Sequence, residues 1–318
     1  MENVPQELKH ALEKFCDAAD DIVKSFTKPI ASQEPPKIIW HYTNDVGLRG
    51  ILETGQLWLS DIFNLNDPSE LRHGFSHAVK ILNSKAEKGP PESRLFAKRF
   101  SDFYEGGMQG SAHYFVCSFS ADGDDLGQWR AYADNGRGYA LGFDAKALEH
   151  AFTQQNGIPI PSNSTFPITY KDEELADLHR QMIDKMFDLI SLWRDKAIDA
   201  AVVMAYIQEL HARLAVPALE ASLFFKHEAY ENESEYRFMQ IFRGDTPAPE
   251  VKRRYRSYEL VKYKEFDWKR LDAGALKHIA VGPAADCTKA TQFAADCVAA
   301  FDIGNAEITC SKIPYRAL

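Results

Sequence analysis

No stretch of the chain approaches the roughly 18 consecutive apolar residues of a membrane-spanning helix. The first residues carry Glu2, Glu7 and Glu13 and lack the apolar core of a signal peptide. Cysteine is sparse and poorly spaced for ligation. Cys16, Cys117, Cys287, Cys297 and Cys310 form an odd set with no CxxC pair and no Cys/His ligand spacing. Free buried thiols in a reducing cytosol are expected, and with them a soluble, cytoplasmic protein without a membrane partner. Basic charge is also short, with 37 Lys and Arg against 46 Asp and Glu, a net charge of -9. That balance argues against nonspecific binding to nucleic-acid backbones, but leaves room for a local basic pocket for a phosphorylated small molecule. There is no Walker A loop, dinucleotide glycine fingerprint, HExxH or GxSxG elbow. Gly136-Arg137-Gly138 lacks the spacing of a phosphate-binding glycine loop.

What is present is ample core material. At 45% hydrophobic residues, 318 residues can bury a sizeable core without staples. Leu8, Leu12, Phe15, Ile22, Val23 and Phe26 recur near a helical period over 5–27, with Lys28-Pro29 as the expected stop. A polar, Pro-containing connector follows at 31–37. Strands are expected near 37–42, 57–61, 114–120, 139–144, 165–170, 236–242, 261–266, 279–282 and 306–312. Short helices fit 46–53, capped by Gly55, and 126–133, and longer ones 69–86 and 288–301. Lys85 to Arg94, with Gly89-Pro90-Pro91, reads as a loop. Helical spacing over 173–222 predicts a pair of helices inserted between strands. The fold class is therefore α+β, with a helix and linker at 1–36 ahead of a mixed-sheet domain at 37–318.

Four segments could carry chemistry. His41, Tyr42 and Thr43 end the first strand, where an imidazole and an aromatic ring can meet a flat ligand in one cleft. Asn64, Asn66, Asp67 and Glu70 crowd a loop after the second strand, suited either to ribose hydroxyls or simply to a tight turn. Ser118 interrupts an apolar strand, and Trp129 and Tyr132 share a helical face, for which core packing is the default. Glu233, Glu235 and Arg237 fall on one side of a strand if that segment is extended. The alternative there is a solvated edge, although Phe238, Met239, Ile241 and Phe242 carry the strand into the core.

The ordered set formed by His41-Tyr42-Thr43, Gly50 to Ser60, Phe63 to Glu70, Cys117 to Ser120, Gln128 to Tyr132, Gly138 to Phe143, Glu233 to Arg237 and Ile313 to Arg316 resembles the DUF2971 family. The resemblance runs from about residue 38 to the end and implies no function. More distantly, a first-strand His, a second-strand hydroxyl and a late-strand Glu are similar to ADP-ribosyltransferases of the His-Tyr-Glu type. That resemblance implies a split, strongly bent mixed sheet that grips NAD as a substrate, and no metal. His41 would hold the adenosine-side ribose, and Ser60 would stand at the second-strand position. Aromatic residues would flank the nicotinamide. Glu235, with Glu233 in reserve, would hold the nicotinamide ribose and orient the nucleophile. The implied activity is ADP-ribosyl transfer to a macromolecular acceptor, or NAD glycohydrolysis. The alternatives are a noncatalytic nucleotide- or protein-binding module on the same fold, and a metal-dependent hydrolase using Asp67, Glu70, Glu233 and Glu235.

Overall fold

The computed structural model describes residues 4–65, 70–107, 112–155, 158–191, 200–243, 250–256, 258–269 and 274–316. The helices are α1 (Gln6–Ala31), α2 (Asp45–Thr54), α3 (Glu70–Lys88), α4 (Pro91–Asp102), α5 (Leu126–Tyr132), α6 (Ala145–Thr153), α7 (Asp172–Ser191), α8 (Ala200–Ser222) and α9 (Cys287–Ala300). The strands are β1 (Ile38–Thr43), β2 (Gln56–Asp61), β3 (Ala112–Ser120), β4 (Tyr139–Asp144), β5 (Gln154–Gln155), β6 (Ile158–Pro159), β7 (Asn163–Pro167), β8 (Glu235–Arg243), β9 (Lys252–Arg256), β10 (Glu259–Asp267), β11 (Leu276–Val281) and β12 (Glu307–Cys310). The chain sorts into two units, residues 1–32, 66–112 and 169–228 in one and the remainder in the other.

In the second unit, ten strands among the described residues form a mixed, open, bent sheet. Its main path runs β12-β11-β4-β1-β3-β2-β10-β9, and β8 pairs with both β3 and β7. Strands β11 and β12 run parallel, joined through α9 as a parallel pair requires. Local chemistry sets the turns. The Asn44 side chain accepts from the Gly47 amide at 2.8 Å to start α2, and Gly55, at φ 67°, ends it. The core on one face of the sheet gathers Ile39, Leu59, Phe119, Leu141, Phe143, Phe238 and Trp268, all buried.

The other unit is helical: α1, α3, α4, α7 and α8. The Tyr206 hydroxyl donates to the Leu8 carbonyl at 2.9 Å, and the Phe75 and Phe100 rings stack 4.8 Å apart. Helix α1 thus belongs with the inserted pair and with α3 and α4. Two expectations are corrected here. Lys28-Pro29 does not stop α1, which runs on to Ala31. A proline in the last turn forfeits little hydrogen bonding, and Ile30 beyond it is buried. The expected loop from Lys85 to Arg94 shrinks to Gly89-Pro90, because Pro91 serves as the first residue of α4, where its fixed φ suits a helix start.

The thiol expectation is also corrected. Cys287, at the start of α9, is disulfide-bonded to Cys310, at the end of β12, with Cα atoms 6.1 Å apart. Neighbouring residues in space, 23 apart in sequence, made the pair invisible to a search for local spacing. Cys16, Cys117 and Cys297 are free. Titration of the unfolded, unreduced protein should count three thiols, rising to five after reduction; five at the outset would remove the bridge.

Glycine permits two close approaches beside β1. A Cβ on Gly138 would lie 2.2 Å from the Thr43 carbonyl oxygen, and one on Gly123 2.3 Å from the Trp40 ring. Backbone cannot swing aside, so Gly138→Ala should lower the unfolding free energy by about 1–3 kcal/mol in a urea titration. Gly50→Ala, at a helical position with open space around it, should raise it by about 0.5–1 kcal/mol. Equal stability of parent and Gly138→Ala would contradict the close passage of these backbones.

Candidate functional site

Adjacent strand residues point to opposite faces, and this separates His41 from Tyr42. His41 alternates with Ile39, which is buried in the main core. Tyr42 lies with Trp129, Ala133, Ala140 and Ala280 in a second, smaller core. The Tyr42 and Trp129 rings meet edge-on, 4.8 Å apart. The Tyr42 hydroxyl donates to the Asp122 carbonyl at 2.9 Å and accepts from the Asp125 amide at 3.1 Å. Burial raises its pKa, with the Asp125 amide opposing. Trp129 is fully buried, its Nε1 donating to Asp124 Oδ1 at 2.8 Å. The strand period sets His41 and Tyr42 on opposite faces of β1, and Tyr42 packs on Trp129.

The sheet parts beside His41. Val116 of β3 stands opposite Ser60 of β2, whereas Ser120 stands opposite Trp40 of β1. Ser118 lies between these two pairings. It is the one exposed residue in the run from Tyr114 to Ser120, so the strand meets solvent there. His41 Nδ1–H donates to the Ser118 carbonyl at 3.2 Å, and the Ser118 hydroxyl donates to Glu235 Oε1 at 2.6 Å. The same oxygen accepts from Arg237 Nε at 2.9 Å and Nη2 at 2.8 Å. Glu235 and Arg237 are 4% and 1% exposed, so the guanidinium supplies the counter-charge that a buried carboxylate needs.

A carbonyl can only accept, which assigns the proton of neutral His41 to Nδ1 and leaves Nε2 with a lone pair. Burial holds the His41 pKa below the usual 6.5; the Ser118 carbonyl opposes this and the charge of Arg254 adds to it. Arg254, on β9, donates from Nη2 to Ser60 Oγ at 3.1 Å. Its guanidinium lies 5.3 Å from the centre of the Trp58 ring, which is 42% exposed and sits 4.4 Å from the ring of Tyr263. Arg254 Nε is buried and finds no hydrogen-bond partner among the described residues. Cys117 feels both charges, Arg254 lowering and Glu235 raising its pKa, while burial, the largest influence, pushes it up to about 12.

Ser60, Ser118, Glu235 and Arg237 thus lie on the face of the sheet opposite Leu59, Phe119 and Phe238, and His41, on the Ile39 side of β1, meets them only at the Ser118 carbonyl. The others lie elsewhere. Strand β8 begins only at Glu235; Glu233 ends a 3-10 turn, and Ser234 between them takes φ 44°. Glu233 is thus off the face shared by Glu235 and Arg237, correcting the fully extended reading. It accepts from the Tyr132 hydroxyl at 3.0 Å, and its backbone carbonyl accepts from Ser120 Oγ at 2.8 Å. The Thr43 carbonyl lies against Gly138. Asn64 closes a 3-10 turn, its carbonyl accepting from Arg256 Nη2. Asn66 and Asp67 lie outside the described residues. Sequence reasoning missed Arg254 and Trp58. The signal available was Lys252-Arg253-Arg254-Tyr255-Arg256, four cations in five residues of an acidic chain.

Two measurements probe this geometry. A folded pKa below 6.5 means that the unfolded chain takes up the His41 proton first. The corresponding stability is complete above that pH and is lost as pH falls below it. The His41 ring should titrate by NMR below 6.5; a midpoint above it would break the assignment. Arg237→Met strands a buried carboxylate and should cost about 3–5 kcal/mol. Adding Glu235→Leu should recover most of that loss in a double-mutant cycle.

Residues 128–238 match the family described as "protein of unknown function (DUF2971)". The matched stretch contains Glu235 and Arg237 and leaves His41, Ser60 and Ser118 outside it. No curated protein and no solved structure matches the chain.

Proposed function

We propose that the parted sheet binds NAD and transfers its ADP-ribose to a macromolecular acceptor or to water. The observation that carries this reading is the meeting of His41 and Glu235 on the two polar groups of one solvent-exposed residue, Ser118. In this proposal His41 Nε2 accepts from a ribose hydroxyl. The unpartnered Arg254 Nε takes a diphosphate oxygen, and the exposed Trp58 ring beside Tyr263 offers a wall for a flat base. Glu235 stands near the nicotinamide ribose. The bond from C1′ to the pyridinium nitrogen breaks with its electron pair going to nicotinamide, which leaves neutral. The carboxylate stabilises the oxocarbenium-like sugar, and the acceptor closes a new bond to C1′ and gives up its proton. The leaving group is already cationic, so no general acid is required.

A second reading, a nucleotide-binding module without turnover, is favoured by one observation. Glu235 Oε1 is occupied by three donors, which spreads its charge before any substrate arrives. The metal-hydrolase alternative has less support, because Arg237 already supplies the cation beside Glu235.

Nicotinamide release from NAD, followed chromatographically, should be detectable in the parent and fall about 10²–10³-fold in Glu235→Gln. His41→Ala should weaken NAD-dependent thermal stabilisation. Stabilisation by NAD without release selects the binding module. Neither stabilisation nor release removes both readings.

A further inference from the structure

His73 and His77 stand four residues apart on α3, so their side chains share one helical face. Asp172, the first residue of α7, meets both. His73 Nε2 lies 3.1 Å from each carboxylate oxygen, and His77 Nε2 lies 3.8 Å from Oδ2. The two imidazoles meet edge-on with centroids 5.3 Å apart. All three ligand atoms fall within 4.8 Å of one another. The side chains are 25%, 20% and 32% exposed, so an ion can enter from solvent.

One imidazole suffices to pair a carboxylate. Two imidazoles that aim the same nitrogen at one carboxylate repel each other once protonated, and an ion pair gives no reason for the second. A metal does. We propose that His73, His77 and Asp172 bind a divalent transition metal, zinc by their ligand set. Tetrahedral zinc with bonds of about 2.0–2.1 Å sets its donor atoms about 3.4 Å apart. The observed 3.1 and 3.8 Å bracket that spacing. Two imidazoles and one carboxylate suit zinc, cobalt or nickel better than magnesium or calcium, which prefer all-oxygen shells. Three protein ligands leave a fourth position for water. The ring of His227 also lies 4.9 Å from that of His73, at the rim of the site. Bound there, the metal ties α3 to α7 within the helical unit. The third ligand comes 99 residues after the first, which is why no local ligand spacing announced it. The NAD reading plays no part in this proposal.

The test uses the full-length protein, stripped of metal with a chelator and dialysed. Competition against a chromogenic chelator should find one zinc bound per chain, and excess zinc should raise Tm by several degrees. Cobalt should give the visible absorption of a tetrahedral nitrogen/oxygen site, without the near-ultraviolet charge-transfer bands of thiolate ligation. His77→Gln and Asp172→Asn should each weaken zinc binding at least tenfold with helical content unchanged by circular dichroism. His10→Ala, at an exposed pair elsewhere, should leave it unchanged. X-ray absorption of the zinc-loaded parent, which needs no variant, should show two imidazole ligands. Failure to take up zinc, thiolate bands with cobalt, or affinity unmoved by both substitutions in folded protein would overturn the assignment.

Discussion

One edge of β3 serves two neighbours, and the transfer between them is the constraint on which the site depends. Along that edge β3 pairs with β2 at Val116 and with β1 at Ser120. Between those points a backbone carbonyl needs a partner, because an unpaired polar group inside a sheet is costly. The imidazole of His41 provides it. That single bond fixes the ring's orientation and tautomer. On its other edge β3 meets β8, whose first residue, Glu235, takes the Ser118 hydroxyl. A structural need of the sheet thus sets an imidazole and a carboxylate on either side of one solvent-exposed serine.

Much of the fold was legible because its signals are local. The helices expected near 46–53, 126–133 and 288–301 start behind Asn44, Asp125 and Asp286, each accepting from the amide three residues on; Asp144 caps α6 in the same way, a helix that was not among those expected. The strands expected near 139–144, 236–242 and 279–282 formed, and they bring Leu141, Phe143, Phe238 and Ile279 to the core. What escaped was set by contacts across the chain or by a competing local rule. Pro91 looked like part of a breaker and is a helix start. Ser234 takes a left-handed turn that local propensity disfavours for serine, and this removes Glu233 from the strand.

The candidate site was legible in its parts and misread in its arrangement. His41, Ser118, Glu235 and Arg237 were each marked by chemistry that is unusual inside a sheet: an imidazole at a strand end, a hydroxyl in an apolar run, opposite charges two apart; Ser60 was marked only by what the resemblance implied. Tyr42 and Trp129 carry equally suggestive chemistry, but large rings are as useful to a core as to a ligand. Only the observed contact between them decides for the core. Arg254 and Trp58 meet through β9 and β2, strands separated by β10 in the sheet and by most of the chain in sequence. No local pattern could join them.

The buried charges bear most directly on function. A buried ion pair such as Glu235–Arg237 adds little net stability over an apolar pair of similar volume, since desolvation offsets the attraction. The Nε of Arg254, without a hydrogen-bond partner among the described residues, is a further cost. In the proposed reading these groups serve a ligand. Their charges also differ across the site: the cation of Arg254, bonded to Ser60 from β9, and the carboxylate of Glu235, paired with Arg237 and bonded to Ser118 from β8. A ligand matched to that polarity has an anionic segment for Arg254 and an electron-poor segment for Glu235. The diphosphate and pyridinium of NAD have this order, which is the physical ground for proposing it over a nucleotide that carries negative charge alone.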